Sequence, residues 1–463
     1  MQNSARPGII NRLTLFILVA MAAGIALGFA LNKSYIADEI SALEKIEFSQ
    51  QQVQPSDSLQ QASIKETLAT RSKELRQSID KKLEPFSILS DIFLRLIKMI
   101  IAPLVFTTLV VGVAKLGDIS AVGRIGGKTL MWFIGASLLS LLLGMILVNL
   151  FKPGTMMQLP LPDNTIDTGI QSTGLSLKGF LYHIFPSSAV EAMAKNEILQ
   201  IVVFSLFFGV GTASLGDQGK IIIQFMDAAA HVILKVTSYV MSLAPVAVFG
   251  AMTAVVAKQG IGILKTYSLF IGEFYLSLIV LWVVLGALCF MIIGKRVLKL
   301  LQAVREPIIL AFSTSSSEAA FPKTMAQLQA FGCKDKIVSF VLPLGYSFNL
   351  DGSMMYMTFA SLFIAQSYGI ELSIGTQVSM LLVLMLTSKG IAGVPRASLV
   401  VIAGTLATFN IPEVGLALLL GIDPLLDMGR SATNVVGNSI ATAVVSKWEN
   451  ELDEIPGGAN PAH

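Results

Sequence analysis

Apolar residues in this chain are grouped in long blocks, and the lengths of those blocks predict its elements. Arg6 and Arg12 precede an apolar run over residues 13–31. That is close to the ~20 residues a helix needs to cross a bilayer and longer than the apolar part of a signal peptide, so it reads as a retained first transmembrane helix. Gly24 and Gly28 within it have a spacing that can seat a neighbouring helix, a pattern also common by chance. Residues 32–87 then turn polar, with Gln50 to Gln52, Pro55 and mixed acids and bases from Lys65 to Lys82. This excursion lies outside the bilayer, either as a small helical unit or as a disordered loop. Further apolar spans cover 88–114, 127–150, 191–216, 221–256, 262–293, 337–369 and 414–446, giving eight with the first. Several exceed what an upright helix needs, which predicts tilt or breaks.

Two segments differ. Residues 297–330 and 374–410 are shorter apolar arms on either side of a polar tip, Ser313 to Glu318 in one and Thr387 to Pro395 in the other. Such arms cannot cross a bilayer singly, so each reads as a re-entrant hairpin, the bland alternative being a Ser- or Gly-rich surface loop. They alternate with long spans within the C-terminal third, and paired interrupted segments are a sequence pointer to a transporter site near the membrane midplane.

The span 414–446 carries Asp423, Asp427, Arg430, Ser431, Asn434 and Asn438. Their spacing places all six on one helical face, opposite Leu, Ile, Val and Ala. A charge at bilayer depth costs at least ~2.5–3.5 kcal/mol, so the stripe must face a cavity or a partner. The plainer reading is an internal Asp427–Arg430 pair that packs the helix. In the preceding span Ser347-Phe348-Asn349-Leu350-Asp351-Gly352-Ser353 predicts an unwound turn, because these side chains compete for backbone hydrogen bonds. Its carbonyls and the Asp351 carboxylate are hard donors for a small cation, while half-helix N-termini suit an anionic solute.

Composition strengthens this membrane reading. Of 463 residues, 54% are hydrophobic and 14% charged, against roughly a quarter charged in soluble domains. A soluble enzyme, a secreted scaffold and a disordered hub are excluded. The net charge of +3 is too small and dispersed to indicate nucleic acid, and no Cys/His cluster has metal-ligand spacing. The two cysteines, Cys289 and Cys333, form no disulfide framework. Arg6, Arg12, Lys115, Arg124 and Lys128 place residues 1–12 in the cytoplasm. The expectation is a multi-pass protein of the plasma (inner) membrane with both termini, including the 447–463 tail, cytoplasmic.

The sequence resembles the dicarboxylate/amino acid:cation symporter family, which contains the glutamate transporters, from Phe93 to Lys447. The most specific parts are Ser315-Ser316-Ser317, Asn349-Leu350-Asp351-Gly352, Gly390-Ile391-Ala392-Gly393-Val394-Pro395, and Asp423 through Asn434. The resemblance implies an all-α fold of eight transmembrane helices and two re-entrant hairpins. It further implies a homotrimer with a scaffold drawn mainly from residues 88–293 and a mobile transport domain centred on 297–446, working by alternating access. It implies that the backbone of Ser316 and Ser317, beside Ser315, and the Ser353 hydroxyl hold a substrate carboxylate, with Val394 capping the site. Arg430 would hold a side-chain carboxylate, Asp427 an amino group, and Ser431 and Asn434 the remaining polar atoms. One ammonium and two carboxylates match that set, which is glutamate or aspartate. The alternative is a plain C4-dicarboxylate, whose carriers tend to lack an acid at the position of Asp427.

Departures bear on the coupling ion. Sodium-coupled relatives have a threonine-serine pair and an aspartate where this chain has Ala136-Ser137 and Asn438. Glu318 stands at the first tip where many have a small residue, as a proton carrier or as a solvated tip residue. The expected coupling is to protons and/or sodium, through Glu318, Gly345, Ser347, Asn349, Asp351, Asn434 and Asn438, with Asn349 and Asp351 as sodium ligands and no other cofactor. Arg396 replaces a common glycine, either contacting a carboxylate near the entrance or pointing to water. An intramembrane hydrolase has little support: there is no HExxH or GxSxG, and His183 and His231 lie outside the polar cluster. An anion channel is the remaining different class.

Overall fold

In a computed structural model the chain is described over residues 12–52, 59–116, 119–157, 161, 184–388 and 397–453. The described residues form α-helices and two short 3-10 turns, with one isolated β-bridge between Cys333 and Leu452. The order is α1 (Arg12–Ser34), α2 (Ala37–Gln52), α3 (Leu59–Leu116), α4 (Ile119–Phe151), α5 (Pro153–Met157), α6 (Ala189–Ala194), α7 (Ile198–Ser214), α8 (Gly219–Met241), α9 (Ala244–Thr266) and α10 (Ser268–Ile293). Then follow α11 (Arg296–Ala303), α12 (Arg305–Thr314), α13 (Ser317–Phe331), α14 (Asp335–Phe348), α15 (Asp351–Ser367), α16 (Ile374–Thr387), α17 (Ala397–Thr408), α18 (Ala417–Leu420) and α19 (Asp423–Trp448). This is an all-α membrane architecture: five described helical segments, Leu15–Ser34, Thr70–Ala114, Val122–Met157, Gly216–Met241 and Ser268–Ile293, are long and apolar enough to span a bilayer.

Element boundaries depart from the hydropathy blocks for identifiable reasons. The blocks 221–256 and 262–293 are three helices, α8, α9 and α10. Pro245 starts the second, where a missing N–H costs nothing in a first turn. The block 414–446 is likewise divided, and Pro424 opens α19. Conversely, the polar stretch from Leu59 and the apolar block 88–114 form one helix that runs through Pro85 and Pro103. The 337–369 block is interrupted at Asn349 and Leu350, whose backbone leaves the helical region between α14 and α15.

The chain divides into two compact units. Residues 1–95 and 241–268 form one. There α1 lies along α9, and a Cβ at Gly24 or Gly28 would come 2.7 Å from the carbonyl oxygen of Phe249 or Thr253. The small-residue spacing is thus a helix seat. Ile36, Ile79, Leu83 and Ala257 make a small core, with ion pairs Lys82–Glu39 and Lys258–Asp80 around it.

Residues 96–240 and 269–463 form the other unit. At its centre α19 is buried without interruption from Met428 to Ser446 and α15 from Asp351 to Ala365, so both are enclosed on all sides. The arms α12 and α13 of the first hairpin both pack on α19, and α4 packs along α15. A layer of Phe270, Phe274, Phe359 and Phe363 supports the buried face of α15.

Candidate functional site

The site is built on α19. Its stripe turns toward three neighbours, and the resulting contacts form two polar clusters at different heights.

The upper cluster centres on Arg430, which is 3% exposed. Its Nη2 reaches Asp423 at 3.1 Å and Asp427 at 3.0 Å. The Arg430 guanidinium lies over the ring of Tyr356 of α15, 4.1 Å from ring centre to Cζ, and Tyr356 donates its hydroxyl to Asp423 at 3.1 Å. Stacking and charge hold the cation in place. Even so, Nε and Nη1 have no hydrogen-bond partner although both are buried. The internal Asp427–Arg430 pair therefore exists without exhausting the arginine. Asp427 is the accessible member, its side chain 40% exposed. Ser431 is buried beside it. Tyr275 closes one side of this end of α19 by donating to the Leu425 carbonyl at 2.6 Å.

The lower cluster surrounds the break between α14 and α15. Asn434 accepts at Oδ1 from the N–H groups of Gly352, at 2.9 Å, and Ser353, at 3.3 Å, and donates to the Ser353 hydroxyl. It thus occupies the orphan donors of the α15 N-terminus. Asn349 donates to Asp351 at 3.0 Å and to Asn438 at 3.3 Å. Ser140 of α4 donates to the other Asp351 oxygen at 3.3 Å. Asn349 Oδ1, Ser347 Oγ and Asn438 Nδ2 are buried without a partner. Two glycines make room: a Cβ at Gly437 would fall on the Asp351 carboxylate and one at Gly345 on the Asn438 amide. One buried carboxylate with unpartnered amide and hydroxyl oxygens is the donor set a small hard cation takes. No group of three His, Cys, Asp or Glu suited to a metal occurs among the described residues.

The first tip meets the same helix. Ser315 adopts a left-handed conformation, φ 50° and ψ 35°, which turns α12 into α13. Ser316 caps α13 by accepting from the Ala319 N–H at 3.2 Å. Its own N–H donates to the Ala311 carbonyl at 3.1 Å. The N–H groups of Ser317 and Glu318 belong to the same first turn of α13, where intrahelical partners are lacking. Glu318 is half-buried there, with Lys98 of α3 within electrostatic reach. Val394, Arg396 and the second tip from Lys389 onward lie outside the described residues, as does His183; His231 instead bonds Asp227 on its own helix.

Sequence reasoning missed Tyr356, Tyr275 and Ser140. Tyr356 follows Ser353 by about one helical turn and shares its face, a signal visible once Ser353 is suspected. Ser140 stands one turn after Ala136-Ser137, and nothing in sequence alone singles it out.

The sequence model of the sodium:dicarboxylate symporter family matches residues 13–448. The chain belongs to that family. Among its relatives, a proton/sodium-glutamate symport protein of Geobacillus stearothermophilus is 42% identical over 375 residues, 80% of this chain and 89% of that protein. A C4-dicarboxylate transport protein of Bacillus subtilis (strain 168) is 40% identical over 381 residues, 81% of this chain and 90% of that protein. Another of that name from Rhizobium etli is 43% identical over 371 residues, covering 79% and 84%. As a member of the sodium:dicarboxylate symporter family the chain is a membrane symporter. Relatives named for two different solutes stand at nearly equal identity, so overall similarity does not choose between them.

Proposed function

We propose that this symporter imports an acidic amino acid, glutamate or aspartate, with protons and/or sodium ions. The observation that carries the reading is Arg430: a buried guanidinium with Nε and Nη1 unpartnered, flanked by an accessible Asp427. A planar guanidinium takes a carboxylate with paired donors. The first turn of α13 takes a second carboxylate, and Asp427 takes the ammonium. In this reading Ser431 lies alongside the solute, Val394 of the second tip covers it, and Asn434 with Ser353 holds the turn that shapes the site. Asp351, Asn349, Ser347 and Asn438, with Gly345 making room, hold one monovalent cation, and Glu318 carries a proton. The neutral Asn438 leaves Asp351 as the one anion of that cluster, which fits a single cation. The assembly is a homotrimer in the plasma (inner) membrane with cytoplasmic termini, scaffold helices drawn mainly from 88–293, and a transport domain that moves between the two sides.

A C4-dicarboxylate is the second reading. Asp427 already has a cationic partner in Arg430, so it does not require an ammonium, and two of the relatives above carry the dicarboxylate name.

The test is uptake of labelled aspartate, glutamate and succinate into proteoliposomes under proton and sodium gradients imposed separately. Each cation beyond charge balance adds about 2.3 kcal/mol per 100 mV of drive. Potential-independent uptake of the amino acids therefore indicates one proton or sodium ion per solute. Glu318→Gln is expected to flatten the pH dependence, and an unchanged profile removes Glu318 from the mechanism. Succinate uptake with no amino acid uptake establishes the second reading, and failure of counterflow exchange identifies a channel.

A further inference from the structure

Beyond α19 the chain carries acids at alternate positions, Glu449, Glu451 and Asp453. Each meets bases from other elements of the same unit. Glu449 takes Arg124 at 2.9 Å and Lys128 at 2.7 Å, both on α4. Glu451 takes Lys336 at 2.5 Å and Asp453 takes Lys334 at 2.6 Å, at the start of α14. The backbone is in register as well. Lys334 N–H donates to the Glu451 carbonyl at 3.2 Å and Asp453 N–H to the Gly332 carbonyl at 2.9 Å, flanking the Cys333–Leu452 bridge. Arg296 of α11 donates to the Asp453 carbonyl at 2.5 Å and lies over Phe331. Both turns need special backbone: Asn450 has φ 57° and Gly332 φ 111°. A Cβ at Gly332 would also come 3.0 Å from the Asp453 carbonyl oxygen.

Singly, such partly exposed ion pairs contribute little. The Glu451 and Asp453 pairs, with two bridging hydrogen bonds and the Arg296 contact, tie the base of the first hairpin, at Arg296 and residues 332–336, to the end of the helix that bears Arg430, while the Glu449 pairs hold that end to α4. The hairpin arm α13 is a single helix from that base to the serine tip, so a shift at one end moves the other.

We propose that residues 449–453 are a strap that positions the first hairpin on α19, and that strap opening is coupled to solute binding at the Arg430 cluster. The coupling rests on the functional reading above; the strap itself does not. Because the coupling is reciprocal, a solute that draws the tip inward must also hold the strap closed.

Cys333 is buried at 2% exposure and bridges Leu452 of the strap, which makes it the natural reporter. In full-length protein carrying Cys289→Ala, N-ethylmaleimide is expected to label Cys333 slowly. Glu451→Lys with Asp453→Lys should label roughly tenfold faster, as an opening made easier by that factor requires. Adding Lys334→Glu and Lys336→Glu should restore protection. In the opened variant, saturating glutamate or aspartate should slow labelling several-fold, and the KM for uptake should rise while the maximal rate changes less. Unchanged labelling on charge reversal, or no recovery in the four-fold variant, overturns the strap. A solute that the wild type transports but that leaves labelling unaltered overturns the coupling. Should the wild type move neither amino acid, the functional reading fails, and the reversal pattern alone still decides the strap.

Discussion

Two ion clusters sit near opposite ends of α19 and obey opposite rules. At Arg430 one buried cation is shared by two carboxylates through a single nitrogen, and two further nitrogens remain without partners. At Glu449 one carboxylate, 5% exposed, is met by two bases, and both of its oxygens are taken. The first cluster has buried donor capacity that no protein group uses. In the second, both carboxylate oxygens are already met. Leaving a buried donor unmade costs about 1–3 kcal/mol, a cost that persists where a ligand later removes it. Unspent hydrogen-bonding capacity thus separates the proposed binding cluster from a staple on the same helix, although both read simply as an arginine near acids.

The largest expected effect tests the binding side of this contrast. Arg430→Cys removes both the unpartnered donors and the partner of Asp423. Uptake of acidic amino acids should fall by roughly 100-fold or more, in line with the ~3–5 kcal/mol attached to breaking a buried pair. Transport at wild-type affinity in this variant would mean that the spare nitrogens are not the anchor.

A smaller change is expected at Asp427, which lies at the accessible edge. Asp427→Ser should shift the preference between aspartate and succinate by about tenfold toward succinate, close to the ~1.4 kcal/mol that such a factor represents. Competition of unlabelled succinate against labelled aspartate measures it. Equal affinity for the two solutes in the wild type would already contradict an ammonium role.

How much of this was legible beforehand follows from what period and composition can encode. The stripe from Asp423 to Asn438 was readable because a helix repeats every 3.6 residues and a charge in lipid demands a partner. The unwound turn at Asn349 was readable because Asn, Asp, Gly and Ser compete with helix bonds. Tyr356 was not, since its neighbours Met355 and Met357 make it one more apolar position in a buried helix. Nor was the use of the Ser316 N–H within its own turn, because only the left-handed Ser315 brings that group to Ala311. The division of the 221–256 block was available in Pro245, but hydropathy averaging erased it. The strap was hidden for another reason: alternating acids acquire meaning only when the bases from three separate elements converge on them.

The smallest effect belongs to the staple and should touch stability without touching selectivity. Burial pushes the Glu449 carboxyl up, but hydrogen bonds from Arg124 and Lys128 outweigh that and hold its pKa below the usual carboxylate range. A carboxylate with a lowered pKa in the folded state stabilises above its unfolded value of about 4.3, and that stabilisation is lost as pH falls through the folded value. Arg124 is 57% exposed, so screening limits the contribution to about 1 kcal/mol. The unfolding midpoint of Glu449→Gln should therefore lie a few degrees below that of the wild type from neutral pH down to about 5, with the gap closing as the medium becomes more acidic than the unfolded carboxyl. Its ratio of aspartate to succinate affinity should equal that of the wild type. A changed ratio would show that the strap discriminates between the two solutes instead of acting on both alike, and a gap that widened in acid would reverse the sign assigned to Glu449.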